Sequence, residues 1–136
     1  MSLEGGCLCG SVRYRLDAEP FDAGYCHCET CRRSAGAPVL VFACVATPAF
    51  VVTQGSPRRW RSSESGERWF CGDCGSQLAM HVDYQPATIA FTIATLDDPA
   101  TVPPGFHIWT KSRIAWFDIA DTLPRSPEFR PETQSE

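Results

Sequence analysis

Three cysteines stand within six residues in Cys26-His27-Cys28-Glu29-Thr30-Cys31, and five more fall as Cys7-Leu8-Cys9, a lone Cys44, and Cys71-Gly72-Asp73-Cys74. Clustered thiols at such spacings are metal ligands or redox centres, because a short turn aims two or three sulfurs at one point. Eight cysteines also permit a disulfide framework. The opening Met1 to Gly6 has neither the basic nor the apolar region of a secretory signal, so a reducing, cytoplasmic setting is expected, and metal ligation with it.

The grouping divides the sulfurs. Two cysteines from each of Cys7-x-Cys9 and Cys71-x-x-Cys74 complete a tetrahedral four-thiolate zinc site, closed and therefore structural in type. Gly10 and Gly75 follow the two knuckles and let backbone amides approach the sulfurs. A redox dithiol at Cys71-x-x-Cys74 would open a helix, whereas strand-like sequence follows here. Cys44 lies in an apolar run, where a thiol acts as a small buried hydrophobe.

Cys26, Cys28 and Cys31 remain, three ligands for a second zinc whose fourth position stays open, the arrangement of a catalytic site. Three thiolates on a dication leave the cluster at a net charge of about -1, a weak Lewis acid for water but a suitable host for a substrate thiol. Such a thiol would be deprotonated yet nucleophilic, able to attack a small aldehyde. Arg32 and Arg33 follow directly and are expected to hold carboxylates of an anionic thiol. In an extended Tyr25 to Cys28, His27 faces away from the two sulfurs, which assigns it a surface or packing role. His107 is read as a brace for its region, with no metal partner nearby in sequence.

These residues need a β framework. Alternation or β-branched runs predict strands over Ser11 to Leu16, Val39 to Val45, Phe50 to Gln54, Gln77 to Val82, Thr88 to Leu96, Phe106 to Thr110 and Ile114 to Ile119. One helical turn is expected over Thr30 to Ala35, with Thr30 as N-cap and Gly36 as stop. The chain of 136 residues reads as one mainly β domain over 1–125, with a polar, proline-bearing tail over 126–136 expected to fray.

Composition sets outer bounds. A net charge of -4 argues against a nucleic-acid-coating role, and no apolar run nears the roughly 20 residues of a membrane-spanning helix. Arg58-Arg59-Trp60-Arg61 interleaves basic and aromatic residues, but on this acidic background it reads as an exposed strand edge with a packed Trp60.

The pattern Gly-Cys7-Leu-Cys9-Gly-Ser-Val-x-Tyr, then Cys26-His-Cys28-x-x-Cys31-Arg, then Phe70-Cys71-x-x-Cys74-Gly-Ser-x-Leu, resembles the glutathione-dependent formaldehyde-activating enzyme (S-hydroxymethylglutathione synthase) family, to which centromere protein V also belongs. The likeness continues into His107-Ile-Trp109 and Ala115-Trp116. It implies a zinc-ribbon-like, all-β "β-tent" fold, a structural zinc on Cys7, Cys9, Cys71 and Cys74, and a second zinc on Cys26, Cys28 and Cys31. It further implies a carbon-sulfur lyase-type reaction between glutathione and formaldehyde. Two departures, a shorter chain and a histidine between Cys26 and Cys28, bear on thiol specificity rather than on the fold.

The expected function is therefore a two-zinc enzyme acting on a small-molecule thiol and an aldehyde. Two alternatives stand beside it. One is a non-catalytic zinc-stabilised binding module, its three-cysteine site closed by Cys44 or a histidine. The other is a nucleic-acid binder using the arginine and tryptophan cluster.

Overall fold

The computed structural model describes residues 3–131. Ten strands and one short helix succeed one another: β1 (Leu3–Gly6), β2 (Arg13–Leu16), β3 (Phe21–Cys26), α1 (Glu29–Ala35), β4 (Leu40–Ala46), β5 (Phe50–Gln54), β6 (Arg58–Arg61), β7 (Gly66–Phe70), β8 (Gln77–Val82), β9 (Thr88–Thr92) and β10 (His107–Ile108). They form an antiparallel sheet ordered β1-β2-β5 and a seven-stranded sheet ordered β10-β3-β4-β9-β8-β7-β6. The only parallel neighbours among them are β10 and β3, with His107 opposite Tyr25 and Ile108 opposite Cys26. The mainly β, single-domain expectation is met.

The two sheets enclose a core built on strand alternation. Tyr14 and Leu16 from β2 point inward while Arg13 and Arg15 point out, and Val45, Leu78, Ile89 and Phe91 come from the larger sheet to meet them. The Tyr14 ring stacks on Phe50, with centroids 4.7 Å apart. A second apolar cluster of Leu40, Phe42, Phe106 and Ile108 surrounds Cys26 and Cys31. The three-cysteine motif thus grows out of a packed cluster, which fixes its backbone.

Several elements differ from the sequence reading. Ile114 to Ile119 is not a strand: Arg113 Nη1 donates to the carbonyls of Ile114, Ala115 and Phe117, and the amide of Phe117 closes a turn on Ile114. The segment satisfies itself locally instead of pairing at a sheet edge. The β9 ladder stops at Thr92, because the Thr95 hydroxyl bonds the Thr92 carbonyl at 2.8 Å and stabilises a tight turn over Ile93–Thr95. The helix is capped by Cys28, whose Sγ accepts the amide of Cys31, and Thr30 is its second residue rather than its cap. Gly36 ends it in the left-handed conformation, as expected.

The tail also departs from the expectation over its described part. Ser126 donates its amide to the His107 carbonyl and accepts from Thr110, Arg130 pairs with Asp22 at 2.7 Å, and Phe129 packs edge-on against Trp109. A polar composition conceals that this segment docks beside β10. The rest of the expected frayed tail, 132–136, lies outside the described residues.

Candidate metal and active site

Two groups of thiols converge. Cys7, Cys9, Cys71 and Cys74 bring their sulfurs within 4.8 Å of one another, and so do Cys26, Cys28 and Cys31. In the first group, Sγ of Cys9 lies 3.7 Å from that of Cys7 and 3.8 Å from that of Cys71. A tetrahedron with metal-sulfur bonds of about 2.3 Å has edges of about 3.8 Å, so the spacing suits one ion. Backbone amides of Val12, Asp73 and Cys74 point at the sulfurs of Cys7 and Cys71, as charge stabilisation of thiolates requires.

The two knuckles are built alike. Gly10 donates its amide to the Cys7 carbonyl and Gly75 to the Cys71 carbonyl, both glycines at φ of 82°. Positive φ, more than room for amides, is why glycine stands there. Ser76 links the knuckles: its hydroxyl accepts the Leu8 amide at 2.9 Å and lies 3.3 Å from Cys74 Sγ. With its own amide that hydroxyl draws the Cys74 thiol down to about 5. The first group thus joins β1's end to the turn between β7 and β8.

The second group sits where β3 ends and α1 begins. Cys28 is the cap, and its thiol is pulled far down, first by S–H donation from Cys26 and Cys31 and further by the Cys31 amide. Cys26 moves the opposite way, pushed up by its two sulfur neighbours and by burial. Three thiols this close can exchange their protons for one divalent cation. Cys44, half-buried on β4, belongs to neither group, and no histidine joins one among the described residues.

His27 is not on the surface. It is 2% exposed, its Nε2 lies 2.9 Å from Nδ1 of His107, and Nε2 of His107 meets Asp121 at 3.0 Å. Since Asp121 as a carboxylate only accepts, it fixes His107 as the Nε2–H tautomer and His27 as the donor to Nδ1 of His107. Burial pushes His27 down to about 4, and His107 beside it adds to that. Burial would raise Asp121, but donors from His107, Arg125 and the Leu123 amide hold it at about 2. His107 braces its region as the sequence suggested; the link from it to His27, 80 residues away, was not visible in the sequence.

The arginines are distributed differently from the expectation. Arg33 is exposed and bonded to Glu29 at 2.9 Å, and Arg32 lies with it and Trp116 along a separate groove. The guanidinium that reaches the trio is Arg68 on β7, whose Nη2 is 3.6 Å from Cys31 Sγ. Arg68 also lines a cleft of about 520 Å³ with Arg33, Ser34, Trp60, Phe70 and Gln77. Trp60 is 65% exposed there rather than packed; the packed neighbour is Trp69, edge-on to Phe50. Arg59 lies over Trp69 and near Glu67, and Arg61 pairs with Asp83 at 2.8 Å, so this edge strand's charges are largely answered within the protein.

A mainly β domain thus carries two converging cysteine groups that could hold metal ions, one of four and one of three beside a cleft. The sequence model of the glutathione-dependent formaldehyde-activating enzyme family matches residues 2–112, and the chain belongs to that family. A Schizosaccharomyces pombe protein named as an uncharacterized lyase is 36% identical over 75 residues, 55% of this chain and 54% of that protein, so the match spans about half its length. A putative glutathione-dependent formaldehyde-activating enzyme of Halomonas elongata is 27% identical over 128 residues, 88% of this chain and 82% of its own. The crystal structure of a Rhodobacter sphaeroides protein superposes with a TM-score of 0.61 at 20% identity, over 90% of this chain and 98% of the other, which supports the fold. No helix among the described residues is long and apolar enough to cross a membrane.

Proposed function

We propose that the chain is a cytoplasmic, zinc-dependent carbon-sulfur lyase-type enzyme that joins a glutathione-like thiol to a small aldehyde such as formaldehyde and splits the adduct in reverse. The observation that carries this reading is the second thiol group: Cys26, Cys28 and Cys31 converge with no other described His, Cys, Asp or Glu ligand atom in the group. The binding-module alternative needed Cys44 or a histidine to close that site, and neither is there. The Arg59 and Arg61 pairings likewise weaken the nucleic-acid alternative.

The all-sulfur donor sets fit zinc in both groups, with Cys7, Cys9, Cys71 and Cys74 structural and Cys26, Cys28 and Cys31 of the open type. When bound by the trio, zinc supplies the positive charge that keeps an incoming thiol deprotonated at neutral pH. The chain's own residues then set the reaction. Cys28 is anchored at the helix cap and Cys26 within an apolar cluster, so the sulfurs are held in place, and His27 is turned away to His107. The thiol sulfur attacks the aldehyde carbon: one C–S bond forms, the carbonyl π pair moves to oxygen, and that oxygen takes up the proton the thiol gave up. No oxidant or reductant is needed.

Exchange NMR on a glutathione and formaldehyde mixture tests the reading. The zinc-loaded protein should accelerate formation and breakdown of the hydroxymethyl thioether, and Cys28→Ser should not. Equal exchange rates with and without the wild-type protein would exclude the activity.

A further inference from the structure

His27 gives its Nε2 proton to His107, which leaves its own Nδ1 as a bare acceptor. That nitrogen is buried and finds no hydrogen-bond partner in the protein. A buried polar atom left unpaired is costly, so it is kept where something else supplies the missing bond. His27 lines a cavity of about 320 Å³, together with His107, Thr110, Arg113, Asp118 and Arg125. No residue lines both this cavity and the cleft that holds Arg68.

The other polar groups of this cavity divide into answered and unanswered ones. Arg125 meets Asp121 at 2.9 Å and the carbonyls of Leu123 and Ile119, and the Thr110 hydroxyl is given to the Ser126 carbonyl at 3.1 Å. Arg113 and Asp118 join no ion pair among the described residues, with each other or with a third group. Arg113 donates through Nη1 alone, to three carbonyls of its own loop. Its Nε and Nη2 edge is left to take a carboxylate through two parallel hydrogen bonds. One guanidinium edge therefore needs an anion, while a carboxylate and a neutral imidazole nitrogen need donors.

We propose that this cavity binds a free α-amino acid, its carboxylate on Arg113 and its ammonium shared between Asp118 and Nδ1 of His27. A simple anion would be repelled by Asp118 and a simple amine by Arg113, and each would leave one charge unanswered. The zwitterion satisfies both, and its ammonium has three protons to share. The volume lies at the lower end of small-molecule sites and suits a single amino acid. Occupancy would reach the second thiol group, because His27 stands between Cys26 and Cys28. The ligand needs neither a thiol nor an aldehyde, so the inference stands apart from the proposed reaction.

Calorimetric titration of the zinc-loaded full chain with L-alanine, propionate and ethylamine tests this. Propionate lacks the ammonium of alanine, and ethylamine lacks its carboxylate. Alanine should saturate and bind at least about ten-fold more tightly than either fragment. Asp118→Asn removes a charge that has no ion-pair partner, and it should bring the affinity for alanine down to that for propionate. Proton-nitrogen spectra of the imidazoles should show Nδ1 of His27 moving with alanine and not with propionate. Absence of saturable alanine binding, equal affinities for the three probes, an undiminished preference in Asp118→Asn or a stationary Nδ1 would each overturn the proposal. None of these results bears on the thiol-and-aldehyde reading.

Discussion

Nε2 of His27 and Nδ1 of His107 lie 2.9 Å apart with both rings buried, and the pair ends on Asp121. His27 stands between two cysteines of the second thiol group, while His107 stands on β10, the parallel neighbour of β3. Tyr25 stacks on His107, with centroids 4.6 Å apart, so the strand leading into the cysteines is fastened from outside the thiol group. The carboxylate, two imidazoles and a tyrosine ring hold the backbone from which Cys26 and Cys28 project.

That arrangement predicts an acid-labile contribution to stability. His27 titrates at about 4 in the folded chain, below its ordinary 6.5, so the unfolded state takes up the proton first. The contribution is complete above about 6.5 and is lost as the pH falls to about 4, amounting to at most about 3 kcal/mol. Urea unfolding of wild type and His27→Gln across this range measures it. Acid loss of metal is common to both proteins, so the wild-type curve should fall more steeply; parallel curves would remove the contribution.

The two thiol groups should separate by metal analysis and melting. Wild type is expected to hold about two zinc ions per chain, and Cys28→Ser about one with a retained β spectrum, because the first group lies elsewhere. Cys71→Ser should lose far more stability, since Cys71 is buried and joins chain segments more than 60 residues apart. A chelator should lower the melting temperature of wild type. A zinc count that Cys28→Ser leaves unchanged would dismiss the second site.

Most of this framework was legible in the sequence, and the exceptions share physical causes. The cysteine spacings gave both thiol groups, because ligand geometry within a knuckle is local. β5 and β8 run over Phe50–Gln54 and Gln77–Val82 as read, since β-branched or apolar alternation survives burial on one face. β1 and β3 were missed because they contain glycines and an aspartate that propensity penalises. At Gly5 a Cβ would come within 2.6 Å of the Tyr14 hydroxyl, so tertiary contact, not strand preference, chose the residue. Arg68, His107 and Asp121 were not read as partners of the cysteine motif because each reaches it across strand pairings that no local pattern encodes. Arg32 and Arg33 were favoured only by adjacency.

Glycine at position 75 should prove conformational in its role. Its φ is 82°, and no atom lies within 4 Å of where a Cβ would stand, so Gly75→Ala meets backbone strain without a clash. A loss of about 1–2 kcal/mol is expected. Gly75→Asn should recover part of it, because asparagine tolerates the left-handed region. Thermal melts of the three zinc-loaded proteins check the order; equal losses for alanine and asparagine would point to another cause.

Tyr14 offers a test of the core that leaves the thiol groups alone. Its ring is 1% exposed, stacks on Phe50, and its hydroxyl meets Thr95 Oγ1 at 2.8 Å. Burial pushes that hydroxyl up to about 12, so it remains a neutral donor across the working range. Tyr14→Phe removes one hydrogen bond but leaves Thr95 bonded to Thr92, which limits the loss to about 1 kcal/mol. Tyr14→Ala also opens a cavity between the two sheets and should cost about 3–5 kcal/mol. Denaturant unfolding at neutral pH separates the two, and a Tyr14→Phe loss as large as that of Tyr14→Ala would show that the hydroxyl, not the ring, holds the sheets together.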